Sequence, residues 1–585
     1  MQNKKRFILK QFIKKTSLLV IFVLSISFFP IQSKLNVFAE DNIEDFYIVK
    51  YSETKTPQEI ADIYDISVDK VEELSEFGAF RIELDNIRIN TGGYSPDSNF
   101  ANGLEYCEPD YLYSIPDDIS SANLNQTENV DVQSTTPNDP YYSSQWGLSK
   151  IEADDAWDKT TGSTSTIIAI IDTGIDGTHE DLSGKVLAGY NYVSNTSISA
   201  NSDSDDHGHG TTVSGVASAI TNNSTGIAGT DWKARLMPIK VLDASGTGYA
   251  SDVALGIRYA VDNGADVINM SLGSSSSSSL ISSAVDYAYS KDVVIVAASG
   301  NDNTTPISYP ARYEKVLAVG ATNSSDERCD NSDWGYPYGS NYGPNLDVVA
   351  PGDGIYGPKD GGGYRSVGGT SLATPFTAGL SALLIAYNSN LNVSDVYSEI
   401  KNNADKVAGM GGEDFSIYYG YGRVNVKNTI SNSGTYHYNY ISQSPAWPDY
   451  ATMLPGETRT FNLTVENTGT ATWEQSVVRL GTSRSRDRIP FYNRDSRGAG
   501  WRPTGDANRV LMQEESVAPG EEATFRFEFT LPENTTGGTY REYFRLVADD
   551  ITWMEDYGIY WDINCLLYTS PSPRDLSTSR MPSSA

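Results

Sequence analysis

Apolar and polar positions alternate along this 585-residue chain with a period that changes from region to region. Short apolar runs predict strands at 166–172, 235–241, 266–272, 293–298 and 316–320. Between these runs, apolar residues at helical spacing predict helices at 209–220, 250–262, 280–290 and 371–387. Strands that alternate with helices favour a parallel sheet with helices on both faces, so we predict an α/β fold for residues 138–430.

Residues 40–113 have the pattern of a separate, small α/β unit. Strands are predicted at 46–51 and 79–84, where apolar residues are concentrated. A helix is predicted to begin after Thr56, because a threonine cap with Glu59 three residues later satisfies the first backbone N–H groups of a helix.

Strict alternation of apolar and polar residues dominates the region 438–564. Residues 461–465 and 525–529 carry an apolar side chain at every second position, which is typical of strands with one buried face. Proline–glycine pairs mark turns between such runs, so we predict a β-sandwich. Residues 114–137, between the first two regions, are polar and rich in serine and asparagine, and predict a linker.

The composition narrows the class of protein. The formal net charge of −32 argues against nucleic-acid binding, because contact with phosphates needs a basic face. An acidic chain of this kind is suited to binding cations. Three cysteines are too few to cross-link a chain of this length, so its stability must come from other sources, of which bound metal is one.

The two ends of the chain have distinctive compositions. Residues 1–39 join a basic start to an apolar run, Leu18 to Phe29, and end in small residues, which predicts a secretory signal peptide. An uncleaved membrane anchor is the alternative. Residues 565–585 resemble a translated sequencing-library adapter, so we expect them to be an artefact, with a disordered serine- and proline-rich tail as the alternative.

Three distant blocks carry candidate chemistry in the order Asp, His, Ser. Asp172 ends an apolar strand, His209 opens a helical segment, and Ser371 begins a long apolar helix after two glycines. A serine hydroxyl is a weak nucleophile at neutral pH unless a neighbouring base takes its proton. Histidine has a suitable pKa for that base, and a buried carboxylate can orient it. The three blocks therefore predict a serine hydrolase.

The chain has four histidines, and they are not equivalent candidates for the base. His209 is preferred because it begins a helix-like segment. His207 follows the acidic stretch 203–206 and is the second candidate. A structural role is expected for His179, and His437 lies outside the predicted α/β domain.

The blocks Asp172–Gly174, His209–Thr211 and Gly369–Pro375 resemble, in order, the three motifs of the subtilase family of subtilisin-type serine proteases. The resemblance extends over roughly 40–430. Thr212 stands where the family usually has histidine, and Leu372 where it usually has methionine. Neither position transfers a proton, so the resemblance implies an active serine protease with a subtilisin-like fold.

The resemblance also implies a role for each site residue. Asp172 would orient the base, His209 would act as the base, and Ser371 would be the nucleophile. Within the block Ala297–Asn301, the Asn301 amide would stabilise the oxyanion together with the backbone N–H of Ser371. A substrate would lie as an added strand between two edges, formed by Ser271, Leu272 and Gly273 and by Gly246, Thr247 and Gly248.

A structural calcium ion is implied by a further resemblance. Residues 221–227 are similar to the calcium loop of the family. Calcium takes six to eight oxygen ligands. Side chains would come from Asp139, Asp181 and Asn223, and backbone carbonyls from Thr221, Thr225 and Ile227. An asparagine-rich turn without calcium is the alternative.

The flanking regions resemble known domains as well. Residues 40–113 are similar to the family's propeptide, which implies an intramolecular folding aid and inhibitor that is removed by self-cleavage within 114–138. Residues 438–564 resemble an immunoglobulin-like domain of bacterial secreted proteins. Its tryptophans would form either a sugar-stacking surface or part of a core: Trp447, Trp473, Trp501, Trp553 and Trp561.

Three functions remain open on the sequence alone. The leading hypothesis is a secreted, self-maturing, calcium-stabilised serine endopeptidase of broad specificity that acts on proteins and peptides. It would be extracellular, with association with the cell surface as the alternative. The second is a narrow processing protease that acts on one partner. The third makes the C-terminal domain the main functional part, with binding to cell wall or protein.

Overall fold

The computed structural model describes residues 46–84, 103–116, 119–120, 136–433, 436–445, 451–483, 509–533, 535–548, 552–554 and 558–566. The predicted signal peptide, most of the predicted linker and nearly all of the predicted adapter segment lie outside these residues. The three cysteines, Cys107, Cys329 and Cys565, are free thiols.

The centre of the molecule is an eight-stranded sheet. Its strands lie in the spatial order Val348–Pro351, Leu317–Thr322, Val294–Ala298, Val267–Met270, Ile167–Asp172, Arg235–Lys240, Gly189–Asn191 and Thr196–Ile198. Neighbouring strands are parallel, except for the last pair, which is antiparallel.

Helices cover both faces of this sheet, which confirms the predicted α/β class. The larger ones are His209–Ser218, Ala250–Asp262, Ser279–Ser290, Thr370–Tyr387, Val393–Asn402 and Val426–Asn432. In the strand Ile167–Asp172, Ile168 and Ile170 belong to the buried cluster on one face, and Ala169 and Ile171 to the cluster on the other. Most residues of the long, apolar Thr370–Tyr387 helix are buried, and its buried leucines and alanines and Phe376 belong to the first cluster.

Shorter elements complete the α/β region. The helical turns are Tyr142–Ser144, Trp146–Lys150, Ala153–Trp157, Asn331–Trp334 and Ala408–Met410. The strands are Leu112–Ser114 with Thr247–Tyr249, and Ile119–Ser120 with Tyr364–Gly368 and Ile355–Pro358. These two small sheets lie beside the candidate site.

The N-terminal unit is a four-stranded antiparallel sheet with one α-helix. The strands lie in the order Val71–Leu74, Ala79–Glu83, Phe46–Tyr51 and Leu104–Pro109, and the helical elements are Pro57–Tyr64 and Val68–Lys70. The predicted cap is present: the Thr56 N–H donates to Glu59 Oε2 at 2.7 Å, and the Glu59 N–H donates to Thr56 Oγ1 at 3.3 Å.

The C-terminal region consists of two β-sheets and one short strand pair. The first sheet contains Tyr438–Ser444, Thr458–Asn467 and Glu522–Thr530. The second contains Ala451–Met453, Ile559–Cys565, Gly538–Ala548, Val478–Ser483, Arg509–Leu511 and Thr552–Trp553. The pair is Trp473–Glu474 with Ser516–Val517. The alternating apolar residues at 461–465 and 525–529 are all buried.

Four aromatic rings fill the centre of this sandwich. The Phe527 ring lies 5.5 Å from that of Phe461 and 5.4 Å from those of Phe544 and Trp561. Tightly packed aromatic clusters of this kind supply a large part of the burial energy of a β-sandwich. Of the two alternatives for the tryptophans, the core is the correct one for Trp473 and Trp561, which are both buried in the core of the sandwich. Trp447 and Trp501, and the side chain of Trp553, lie outside the described residues.

Replacing Phe527 by alanine should lower the free energy of unfolding of the sandwich by about 3–5 kcal/mol, because it leaves a cavity between three rings. Urea unfolding of the full chain, followed by tryptophan fluorescence, measures the change. The matched control is Arg526→Ala, one position away with an exposed side chain, which should change the unfolding free energy by less than about 0.5 kcal/mol. Equal losses in the two variants would contradict the central role of Phe527.

Candidate active site

The candidate site lies at the carboxyl end of the parallel sheet. Asp172 is the last residue of its strand and is fully buried. Side chains at the carboxyl ends of parallel strands meet at one edge of the sheet, where α/β proteins build their sites. On the neighbouring strand, Lys240 lies opposite Asp172 and is also buried. The Lys240 ammonium donates to the Thr173 and Leu242 carbonyls at 2.7 and 2.8 Å and to Asp206 Oδ1 at 2.6 Å.

His209 is the first residue of its helix and contacts Asp172 directly. Its Nδ1 lies 2.8 Å from Asp172 Oδ1, and the two side chains are 1% and 0% exposed. Burial of both partners makes this a strong, fixed contact that sets which ring nitrogen faces the carboxylate. His207, the second candidate for the base, is exposed, and the structure brings only His209 to Asp172.

Asp205 holds the Asp172 loop and the His209 helix together, a role that our sequence reasoning missed. Its Oδ1 accepts hydrogen bonds from Thr173 Oγ1 and the Gly208 N–H, both at 2.8 Å. Its Oδ2 accepts from the N–H and hydroxyl of Thr211 at 2.9 and 2.6 Å. Burial alone would raise the pKa of Asp205, but these hydrogen bonds to its charged form lower the pKa below its usual value.

Thr212, which stands where the family usually has histidine, connects two elements of the structure. The Thr212 hydroxyl lies within hydrogen-bond distance of the Gly208 and Pro358 carbonyls, at 2.9 and 2.8 Å, either of which can take its single proton, and it accepts from Arg365 Nε at 2.8 Å. Arg365 Nη2 also donates to the Gly208 carbonyl at 3.1 Å. The strand Tyr364–Gly368 is therefore tied to the first turn of the His209 helix. Leu372, the other departure, is buried in the core.

Ser371 lies in the first turn of its helix and is fully buried in the described chain. Its Oγ is 3.4 Å from the carbonyl oxygen of Ser271, and the Ser271 hydroxyl donates to the Ser371 carbonyl at 2.9 Å. One of the two predicted substrate edges is thereby fixed next to the candidate nucleophile. The open N–H groups of a helix start are suited to stabilising negative charge.

Asn301 is held with its amide nitrogen near the start of that helix. Its Oδ1 accepts from the N–H and hydroxyl of Thr370 at 2.9 and 2.8 Å, which fixes the orientation of the amide. A Cβ atom placed on Gly369 would lie 3.2 Å from Asn301 Nδ2 and 3.7 Å from the Ser371 nitrogen. The two predicted oxyanion donors therefore flank one small space that a side chain at residue 369 would fill.

The predicted substrate cleft is occupied by the chain's own residues 112–115. Leu112–Ser114 pairs antiparallel with Thr247–Tyr249, and the Ile115 N–H donates to the Gly246 carbonyl at 3.0 Å. On the other side, Ser114 exchanges two backbone hydrogen bonds with Gly273, of 3.0 and 2.8 Å. Both predicted edges thus pair with one extended segment, as in strand addition.

Residues 119–120 form a second pairing close to Ser371 in the chain. Ile119–Ser120 pairs antiparallel with Tyr364–Gly368, and Ile119 lies opposite Gly368, three residues before Ser371. Residues 112–115 therefore pair with the two predicted substrate edges, and residues 119–120 pair with the strand that precedes Ser371 in the chain.

The N-terminal unit contacts two helix starts of the α/β region through carboxylates. Asp110, which is buried, accepts from the N–H and hydroxyl of Ser251 at 2.9 and 2.7 Å. Glu108 accepts in the same way from Ser279, at 2.7 and 2.8 Å. Negative charges at helix N-termini are stabilising. Burial raises the pKa of Asp110, although Arg81 Nε lies 2.9 Å away and acts in the opposite direction.

The predicted calcium residues lie together. Asp181 accepts from Asn223 Nδ2 and the Ile227 N–H at 3.0 and 2.8 Å, and Asp139 accepts from the Asn223 N–H at 3.2 Å. The Thr225 N–H donates to Asn223 Oδ1 at 2.7 Å, and the Thr221 hydroxyl donates to the Ala219 carbonyl.

The chemistry of this set fits a cation. Burial raises the pKa of Asp139 and Asp181, and the negative charge of Asp139 raises that of Asp181 further. Two buried carboxylates that repel each other are stabilised by a positive ion between them. In the described residues, these two carboxylates accept hydrogen bonds from N–H and O–H donors.

The remaining histidines have structural contacts. His179 Nε2 lies 2.8 Å from the Gly363 carbonyl, in keeping with the structural role expected from the sequence. His437 Nε2 lies 3.0 Å from Glu399 Oε1, where the first strand of the sandwich begins beside the helix Val393–Asn402.

Comparison with known proteins gives consistent results. The model of a family described as the subtilase family matches residues 163–422. Thermitase from Thermoactinomyces vulgaris is 44% identical over 296 residues, which are 50% of this chain and 99% of thermitase. The thermophilic serine proteinase of Bacillus sp. (strain AK1) is 41% identical over 329 residues, 56% of this chain and 73% of that protein. The cell wall-associated protease of Bacillus subtilis (strain 168) is 38% identical over 288 residues, 46% of this chain and 31% of that protein.

A solved structure shows the same fold. Fervidolysin from Fervidobacterium pennivorans, described as a keratinolytic enzyme related to subtilisin, superposes with a TM-score of 0.58 at 22% identity over 86% of this chain and 70% of its own. At that identity the likeness concerns the fold alone. Since the chain spans almost all of thermitase at 44% identity, it belongs to the subtilase family and is a subtilisin-like serine endopeptidase.

Proposed function

We propose that the protein is a secreted endopeptidase that hydrolyses peptide bonds through an acyl-enzyme, with Asp172, His209 and Ser371 as its triad. The observation that carries this proposal is the buried 2.8 Å contact between His209 Nδ1 and Asp172 Oδ1 at the edge of a cleft that contains Ser371. This contact supplies an oriented base, and acyl transfer by a serine requires such a base to take the hydroxyl proton.

Each residue has one task in this mechanism. Ser371 Oγ attacks the scissile carbonyl while His209 takes its proton, and the Asp172 carboxylate stabilises the imidazolium that forms. Asn301 Nδ2 and the Ser371 N–H donate to the oxyanion in the space beside Gly369. His209 then gives the proton to the leaving amine, and water hydrolyses the acyl-enzyme by the same steps in reverse order.

Substrate binding by backbone pairing supports hydrolysis of extended protein segments. The two edges at 246–248 and 271–273 offer carbonyl and N–H groups that any peptide can pair with, whatever its side chains. The hypothesis that binding by the C-terminal sandwich is the main function is less well supported. Trp473 and Trp561, two of the tryptophans proposed for a binding surface, are core residues.

Self-maturation is part of the proposal, and the occupied cleft supports it. Ser114 pairs with Gly273, so the antiparallel register sets Pro116 opposite Ser271, whose carbonyl lies 3.4 Å from Ser371 Oγ. We therefore propose Pro116–Asp117 as the first bond to be cleaved. Residues 40–113 would remain bound as an inhibitor, held by the helix contacts of Glu108 and Asp110.

Calcium binding and secretion complete the proposal. Asp139, Asp181 and Asn223 would hold the ion with carbonyls of the 221–227 loop, and a bound ion would stabilise the folded state. Secretion is supported by the signal-like residues 1–39.

Replacing Asn301 by alanine should lower kcat by about 10²–10³-fold with a small change in KM, the cost known from removing one side-chain oxyanion donor in subtilisin. Steady-state hydrolysis of a peptide p-nitroanilide measures both constants. The control is Thr370→Val, which removes one hydrogen bond to Asn301 but keeps the donor, and should cost less. A change confined to KM would count against an oxyanion role.

Full-length protein should lose its N-terminal region over time, whereas Ser371→Ala should stay intact, because only the former has a nucleophile. Intact-mass spectrometry during a time course measures this. We expect the earliest new N-terminus at Asp117. Processing of both proteins would reveal a contaminating protease, and a first cleavage far from residues 116–119 would contradict the proposed register.

Calcium should raise the unfolding temperature of the protein and EGTA should lower it, because an ion that binds only the folded state stabilises it by about 2.7 kcal/mol at one hundred times its dissociation constant. Asp181→Asn should lose most of this response. Glu180→Gln, next to it but outside the proposed ligand set, should keep the response. An unfolding temperature that does not depend on calcium in the unmodified protein would rule out the site.

A further inference from the structure

The helix that carries His209 begins at a residue that cannot cap it. Its N-cap residue is Gly208, which has a φ of +90° and no side chain to accept from the first backbone N–H groups. The position of the His209 ring therefore depends on contacts that other segments make with the first turn. Asp205 makes such contacts with the N–H groups of Gly208 and Thr211.

Arg365 holds the same turn by two of its oxygen atoms. Its Nη2 donates to the Gly208 carbonyl at 3.1 Å, and its Nε donates to the Thr212 hydroxyl at 2.8 Å. The hairpin that carries Arg365 is close to the helix start, since a Cβ atom on Gly208 would lie 3.1 Å from Asp360 Cβ. A guanidinium presents its donors in a fixed plane, so two bonds to neighbouring groups hold the turn in one orientation.

The strand Tyr364–Gly368, which contains Arg365, also pairs with the segment that follows the proposed cleavage site. Ile119–Ser120 lies antiparallel to it, and Ser120 is opposite Val367, two residues after Arg365. Counted from the Pro116–Asp117 bond, these are the third and fourth residues after the bond to be cleaved. The corresponding residues of a substrate would pair with the same edge by strand addition.

We propose that Arg365 is a positioning residue, which links the pairing of a substrate beyond the scissile bond to the orientation of His209. A substrate that pairs with the strand Tyr364–Gly368 fixes this strand, and Arg365 then fixes the first turn of the helix through Gly208 and Thr212. The inference rests on the proposed function, because it takes His209 as the base and residues 119–120 as a guide to the substrate beyond the bond.

Such a link affects the chemical step more than substrate binding. A base that is slightly misplaced slows proton transfer, whereas backbone pairing along the cleft still binds the peptide. Loss of the Arg365 contacts should therefore lower kcat more than it changes KM, and it should do so for substrates that are long enough to reach the strand. A residue with a merely structural role would affect short and long substrates alike.

The test uses two peptides with the processed enzyme, acetyl-Tyr-Ser-Ile-Leu-Asp-amide and acetyl-Tyr-Ser-Ile-Leu-Asp-Asp-Ile-Ser-amide. The same Leu-Asp bond is cleaved in both, but only the longer peptide extends to the strand Tyr364–Gly368. Chromatography and mass spectrometry of the products give the cleaved bond, kcat and KM. We expect kcat of the unmodified enzyme to be about 10-fold higher for the longer peptide, which corresponds to about 1.4 kcal/mol.

Arg365→Met keeps a long side chain but removes its donors, so it should reduce this ratio of kcat values to roughly 2-fold or less, with a smaller change in KM. Arg365→Lys keeps the charge but lacks the planar pair of donors, and should restore only part of the ratio. The control is Lys359→Met, which removes an exposed cation from the same hairpin and should leave the ratio unchanged.

A double-mutant cycle tests whether Arg365 acts through the helix. Thr212→Val alone should lower kcat for the longer peptide, because it removes the hydroxyl that accepts from Arg365. In combination with Arg365→Met it should lower kcat little further, since the two residues share one contact. Fully additive losses would overturn the inference.

The other outcomes separate the inference from the proposed function. An equal loss of kcat for both peptides in Arg365→Met, or equal kcat values for both in the unmodified enzyme, would overturn the inference and leave the proposed function intact. Cleavage of casein but not of the longer peptide would overturn the inference through its register. Failure of the folded, processed protein to cleave either peptide or casein would contradict the proposed function, and the inference with it.

Discussion

The arrangement of the molecule depends on one buried contact, that between His209 and Asp172. A buried carboxylate needs hydrogen-bond partners in place of water, and Asp172 Oδ1 accepts from the Thr173 N–H at 2.7 Å in addition to its contact with His209, so the residues around it have little freedom. The strand must end where Asp172 can reach the ring, and the helix must begin at His209. Asp205 enforces both conditions, because its two oxygens bind Thr173 on one side and the first turn of the helix on the other. Lys240 fixes the same loop from the neighbouring strand.

A second constraint is that one helix belongs both to the hydrophobic core and to the candidate active site. The helix that begins with Thr370 is buried along most of its length, and Ser371 is in its first turn. The position of Ser371, the proposed nucleophile, is therefore set by the packing of this helix in the core. The cleft is built from elements that are anchored in the same core, which explains how backbone pairing can hold a peptide in one register.

Much of the α/β fold could be predicted from the sequence, because its strands are short apolar runs and its helices have clear periodicity. The helix at 250–262 was predicted with the observed bounds, and the others to within two residues. The strand Val348–Pro351 and the helices after residue 390 were missed, since their patterns are short or interrupted.

The three triad candidates and Asn301 could be found because they lie in blocks with family resemblance. Asp205 and Arg365 could not be found in that way, because their importance comes from contacts between segments that are distant in sequence.

If the chain matures by cleavage after Pro116, as proposed, this proline would slow that cleavage. Proline has no backbone N–H, so in the proposed register Pro116 cannot donate to the Ser271 carbonyl that lies beside Ser371 Oγ. The chain is thus held firmly at Tyr113 and Ser114 and weakly at the bond to be cleaved. In the proposed maturation, a segment that binds well and reacts slowly would keep the enzyme inactive after folding. Pro116 would then delay the onset of proteolysis until after export.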